Sequence, residues 1–332
     1  MAEESRNGLA GWQIAALAAA GGVSALALAN KLADLSAGEP YSVLTGEQRR
    51  YAWTLGDIFY TVKGQGAPLV LVHGVYAGAS SYEFRHVFDL LAQRFRVYAF
   101  DLLGFGLSDH PPVLYTPVLY EELIEDFVRQ VVGGVDQPAR IIASSLGAAF
   151  TIRAAAERPG IFERLVLIQP TGIEELADGR ETPGRRIGRA VLRSPLLGQA
   201  IYNLIVSRPS ISYFLRSQTY SDPAEVSDDM VDYYYTLSHQ PGARYAPASF
   251  ISGTLNTPVA SLYPLLRQPI LLCWGKDARF SPLEHARTFR QSNAQAELRV
   301  FDCGGLPQDE LPEEFVREVG GWLLAPSPSR SK

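Results

Sequence analysis

Five consecutive residues pose the chemical question: Ala143-Ser144-Ser145-Leu146-Gly147, a small-x-Ser-x-small run. Small residues on either side of a serine permit a tight strand-to-helix turn that holds its Oγ at the tip in a strained backbone conformation. The run departs from G-x-S-x-G in placing Ala143 first. Such a serine can attack a carbonyl carbon, provided that something takes its proton. A second segment, His73-Gly74-Val75-Tyr76-Ala77-Gly78, is a flexible loop. Its backbone N–H groups could stabilise the oxyanion formed by that attack. Val75 or Tyr76, together with Leu146, would be the donors. A third, Asp101-Leu102-Leu103-Gly104-Phe105-Gly106-Leu107-Ser108-Asp109, completes the set.

These segments need a frame that presents them together. Short apolar runs alternate with amphipathic helical patterns from Asp57 onward. PLVLVHG, FRVYAFD, ARIIAS, FERLVLIQP, PILLCWG and AELRVFD read as strands, and DIFYTVKG as an earlier one. SSYEFRHVFDLLAQR, YEELIEDFVRQVV, LGAAFTIRAAAERPG, PLEHARTFRQ and EEFVREVGGWLL read as helices. This alternation predicts an α/β fold with a mostly parallel sheet and helices on both faces. Ligands of such sheets bind beyond the carboxyl ends of the strands, where the three segments fall. Residues 171–262 break the rhythm and read as a helical cap over those ends. Its aromatics Tyr202, Tyr213, Phe214, Tyr233, Tyr234 and Tyr235 either line a lipophilic pocket or form the cap's own core.

With these spacings the chain resembles the α/β-hydrolase superfamily, in the branch with a helical cap between the sixth and seventh strands. The resemblance covers about residues 55–325. It implies an eight-stranded sheet, a Ser–acid–His triad with Ser145 as nucleophile, and hydrolysis of esters, amides or related bonds. It implies no cofactor and no metal, and it makes His73 a structural residue of the oxyanion loop.

Two triad positions depart from that pattern. The run Trp274-Gly275-Lys276-Asp277-Ala278-Arg279-Phe280-Ser281-Pro282 places Ala278 where the acid belongs, with Asp277 one residue early. Glu174 and Glu175 are substitutes after the sixth strand. The run Cys303-Gly304-Gly305-Leu306-Pro307-Gln308-Asp309-Glu310 has Gly305 where the histidine belongs, and no histidine follows His285. The glycine leaves room for a ring and supplies no proton acceptor. His239, in the cap, is the alternative base; His86 and His285 fall in helical patterns and His110 in a loop. Cys303 reads as a buried, inert thiol. Two functions follow: a serine hydrolase with a non-standard triad acting on a small lipophilic ester or lipid-like substrate, or a catalytically inactive relative that binds a small ligand under its cap.

The 332 residues divide into an N-terminal segment and linker (1–54), a core (55–170 and 263–325), the cap (171–262) and a polar tail (326–332). Thirty Lys and Arg against 35 Asp and Glu give a net charge of -5, which argues against nucleic acid as partner. Two cysteines are too few for a disulfide scaffold, and no HExxH spacing marks a metal site. No charge lies between Arg6 and Lys31. Residues 8–30 therefore read as a membrane anchor, as a signal peptide cut after Ala27-Leu28-Ala29, or as a soluble Ala-rich helix. An anchor followed by Lys31, Arg49 and Arg50 places the main domain in the cytoplasm; a soluble cytoplasmic protein is the alternative. The Arg180–Arg193 run, with Arg186, Arg189 and Arg193 on one helical face, reads as a second membrane contact or as a solvated face.

Overall fold

A computed structural model describes residues 11–325, with the side chains of 11–20 outside the description. Residues 1–10 and the polar tail 326–332 lie outside it as well. Eight strands form one sheet: β1 (Glu47–Trp53), β2 (Gly56–Lys63), β3 (Pro68–Val72), β4 (Arg96–Phe100), β5 (Ala139–Ser144), β6 (Phe162–Ile168), β7 (Ile270–Gly275) and β8 (Glu297–Phe301). Their order is β1-β2-β4-β3-β5-β6-β7-β8. The β1–β2 and β2–β4 pairs are antiparallel and the others parallel. The fold is the expected mostly parallel eight-stranded α/β sheet.

Apolar side chains fill both faces because the central strands read apolar at every position. Leu69, Leu71, Ile142 and Val166 point to one face, against Phe88 of α2 (Phe88–Leu91) and Phe315 of α12 (Pro312–Leu324). Val70, Val72, Ile141 and Leu167 point to the other. There they meet α3 (Pro117–Phe127), α4 (Ser145–Glu157) and α10 (Leu283–Ser292). A short α11 (Pro307–Glu310) follows β8.

Two elements differ from the sequence expectation. Glu47–Trp53, inside the stretch read as linker, is the edge strand β1. The run SSYEFRHVFDLLAQR is not one helix: Ser81–Phe84 forms a 3-10 turn before the short α2.

Between β6 and β7 the cap contributes α5 (Pro183–Arg193), α6 (Leu197–Ile205), α7 (Arg208–Phe214), α8 (Asp228–Ser238) and α9 (Tyr245–Ile251). Tyr202, Tyr234 and Tyr235 build its core, while Tyr213 and Phe214 are exposed. The arginine run is largely engaged within the cap. Arg180 and Arg185 pair with Asp178, Arg189 pairs with Glu181, and Arg193 donates to the Val113 and Pro112 carbonyls.

The N-terminal segment is α1 (Gly11–Leu35), helical straight through Ala27-Leu28-Ala29. Among the described residues, no helix is long and apolar enough to cross a membrane, so the spanning anchor expected from the charge-free stretch is not supported. The C-terminal half of α1 docks on the cap. Buried Asn30 donates to the Leu196 carbonyl and accepts from Asn203, and Ser36 bonds the Tyr235 hydroxyl.

Candidate functional site

Ser145 follows β5 and opens α4 with φ at +51°, in the left-handed region that a serine rarely enters. The turn works because its neighbours are small. A Cβ on Gly147 would overlap the His73 carbonyl, so only glycine lets α4 start this close to β3. β3 and β5 are parallel neighbours, with Val72 opposite Ala143, so Gly74 and Ser145 leave the sheet side by side. Ser145 is half-buried, Leu146 and Val75 are buried, and Tyr76 is partly exposed. The elbow and the oxyanion loop are thus brought together as their spacing predicts.

The supporting loops are pinned by buried polar groups. His73 Nε2 accepts from the Leu102 N–H at 3.0 Å, which leaves the proton on Nδ1 to be donated to the Gly74 carbonyl at 2.6 Å. Burial lowers its pKa, so the ring is a neutral brace. Asp101 accepts from the Ser81 and Leu107 N–H groups, both at 2.7 Å. The Asp101–Asp109 segment is therefore structural.

The other expected residues lie elsewhere. Asp277 is exposed, and its contact with the β8 loop is made by its backbone N–H, which donates to the Cys303 carbonyl at 2.9 Å. Beside it Ala278 is buried. His239 stacks on Tyr235, with Nδ1 2.8 Å from that residue's carbonyl. Asp34 and Arg208 are its charged neighbours, which places it on the side of the cap that faces α1. Glu174 and Glu175 both contact His285 on α10. His86 is exposed, with Nε2 3.5 Å from an Asp309 oxygen, and burial lowers the His110 pKa to about 4. His73, His86, His239 and His285 thus have partners other than Ser145, and His110 is partly buried beside Asp109. Cys303 is buried, which pushes its thiol pKa far up and keeps it unreactive.

Gly305 is not an empty slot. Its N–H donates to the Thr219 carbonyl at 2.6 Å, and a Cβ there would sit 3.1 Å from the same oxygen. A Cβ on Gly304 would come within 2.7 Å of the Ser221 nitrogen. A side chain at position 305 would therefore press on the Thr219 carbonyl of the cap. Glu310 fixes this crossing by accepting from the Ser221 N–H and hydroxyl and from the Gly304 and Leu306 N–H groups.

One buried charged group beside the elbow escaped the sequence reading. Glu83, on the 3-10 turn, is fully buried. It accepts from the Gly74 N–H at 3.0 Å and from Gln308 Nε2 at 3.2 Å, and the Ser144 and Tyr76 hydroxyls also bond to it. Burial dominates these bonds and raises its pKa to about 7. The available signal was a charge in register with Val87 and Leu91 on an otherwise apolar helical face.

Over this site lies α8. The Tyr234 and Tyr76 hydroxyls are 3.2 Å apart, and Tyr82 stacks on Tyr233 with ring centres 4.1 Å apart. A cleft of about 640 Å³, lined by Val118, Arg153, Arg180 and Pro258 among others, lies away from Ser145.

Residues 69–318 match the sequence pattern of the Alpha/beta hydrolase family. A 2-hydroxy-6-oxo-2,4-heptadienoate hydrolase of Pseudomonas putida is 28% identical over 275 residues, covering 79% of this chain and 91% of that protein. A 2-hydroxy-6-oxo-6-(2'-aminophenyl)hexa-2,4-dienoic acid hydrolase of Metapseudomonas resinovorans is 25% identical, covering 80% and 86%. Among solved structures, a serine hydrolase involved in carbazole degradation superposes with a TM-score of 0.69 at 22% identity, covering 84% of this chain and 99% of that one. A membrane phospholipase A, described as a bacterial virulence factor, superposes with a TM-score of 0.67 at 20% identity, covering 94% and 96%. With the matched pattern spanning β3 to β8, the elbow and the cap, the chain belongs to the alpha/beta hydrolase family.

Proposed function

We propose that this protein is a serine hydrolase with a non-standard triad, acting on a small lipophilic ester or lipid-like substrate. Ser145 is the nucleophile. Leu146 N–H and Val75 or Tyr76 N–H hold the oxyanion. The observation that carries the reading is the +51° φ of Ser145 beside the oxyanion loop. Such a conformation costs of order 1–3 kcal/mol and persists where a function needs it. The related dienoate hydrolases are named for acidic substrates, which call for a free cation. Here Arg85, on the turn that follows the loop, pairs with Asp309 at 2.9 Å, and the roof is aromatic. A neutral lipophilic carbonyl compound suits that lining better. Association with a lipid surface belongs to the same reading, supported by apolar side chains that α1, α6 and α7 leave exposed.

A fluorophosphonate probe tests the nucleophile. Ser145 should become covalently labelled, and Ser145→Ala should abolish labelling while the fold is kept. A folded parent that stays unlabelled would favour the second reading, a ligand-binding protein without catalysis. That alternative draws on the cap crossing at Gly304 and Gly305.

A further inference from the structure

We propose that Glu83 takes the proton of Ser145, doing the work that a histidine does elsewhere in the family. This inference rests on Ser145 being the nucleophile. The geometry narrows the choice of acceptor. The point where Gly74 would carry a Cβ lies 3.3 Å from Ser145 Cβ, 3.5 Å from Glu83 Oε2 and 3.6 Å from Ser144 Oγ. The Ser145 Cβ, the Glu83 carboxylate and the Ser144 hydroxyl therefore border one small volume between elbow and loop. Asp277 is exposed, four histidines are held by other partners, and burial holds His110 neutral in its loop.

In the first step Ser145 Oγ bonds to the carbonyl carbon, and its proton passes to the Glu83 carboxylate by way of the Ser144 hydroxyl. The bond to the leaving oxygen then breaks, and that oxygen departs with the proton from Glu83. In the second step water gives a proton to Glu83 and its oxygen attacks the acyl carbon. Ser145 Oγ leaves and recovers the proton. Each half returns Glu83 to its ionised form.

Glu83 is suited to the exchange because its acidity sits near neutrality, where a base can both accept and release a proton. Tyr76 and Ser144 face it from the loop and the elbow, and Gln308 and Asp309 from α11. The Asp309 charge is met by Arg85 and by the Tyr220 hydroxyl. Gln308 Nε2 donates to Glu83 Oε1 and so favours the ionised form.

The test is the rate of fluorophosphonate labelling between pH 5 and pH 9 on the full chain. In the parent the rate should rise with pH and level off, with a midpoint near 7. Glu83→Gln should label at least about 100-fold more slowly, with Glu83→Asp recovering part of the rate. Gln308→Leu should move the midpoint upward, and this variant decides the matter if Glu83→Gln does not fold. Labelling of Glu83→Gln within threefold of the parent, or an unmoved midpoint in Gln308→Leu, overturns the assignment while Ser145 stands. A folded parent that is never labelled overturns the nucleophile and this inference together.

Discussion

Glu83 pairs two properties that pull against each other, complete burial and an acid group with four donors around it. Burial wins, and the carboxyl titrates at about 7 where an ordinary glutamate titrates at 4.5. The folded state therefore keeps a proton that the unfolded chain has already lost between those values. Stability should fall as pH rises through this window, by about 3 kcal/mol when complete. Thermal melts at pH 5.5 and pH 8 should show a steeper loss for the parent than for Glu83→Gln; equal slopes would mean that the carboxylate is solvated. At this scale the sequence was uneven. Ser145, Val75, Tyr76 and Leu146 were legible because backbone geometry dictates their motif and its spacing. Glu83 was not, because its role comes from Gly74, Ser144 and Gln308, which are distant in sequence or unremarkable in type. Asp277, a carboxylate one residue out of register at a strand end, is exposed.

At the level of elements, the crossing of the cap chain over the β8 loop decides what position 305 can hold. Three of Glu310's acceptor bonds tie the crossing; a Cβ on Gly304 would collide with the cap backbone, and one on Gly305 would press on the Thr219 carbonyl. Gly305→His should therefore give no gain in hydrolysis. It should push Thr219–Ser221 outward at a cost of about 1–3 kcal/mol, typical of overpacking. Hydrogen exchange at the Ser221 amide should speed up at least tenfold. Unchanged protection together with a gain in esterase activity would restore the triad reading. Strand positions were readable wherever both faces are buried, as in β3, β5 and β7. Strand β1 was not, since Glu47, Gln48, Arg49 and Arg50 are exposed and offer no alternation to follow. The break in SSYEFRHVFDLLAQR was equally hidden, because a 3-10 turn and a helix share the same apolar spacing here.

Across the whole molecule, the cap side differs from the rest of the surface. Val23, Leu28, Leu32 and Leu35 of α1, Leu197, Leu204 and Ile205 of α6, and Tyr213 and Phe214 of α7 are all exposed. Clusters of this kind mark sites of association. The arginines expected to add charge are mostly paired, so any attraction to a lipid surface would come from burial of apolar surface. Full-length protein should float with neutral phosphatidylcholine vesicles in a density gradient, and a chain starting at Ala37 should float far less. Equal behaviour of the two would remove α1 from the lipid contact.

The docking of α1 also alters the mechanics of the cap. A domain inserted between two strands hangs on two chain passages, here those leading out of β6 and into β7, and can swing about the line that joins them. The Asn30 clamp on α6 and the Ser36–Tyr235 bond fasten α1 to the same body, and residues 36–46 run from there to the edge strand β1. Tyr233 is anchored to that strap through the Tyr41 carbonyl at 2.9 Å. The strap therefore adds a third attachment to the two chain passages. Any swing of the cap would have to carry α1 and residues 36–46 along or break these bonds, which couples the cap to the sheet edge at β1.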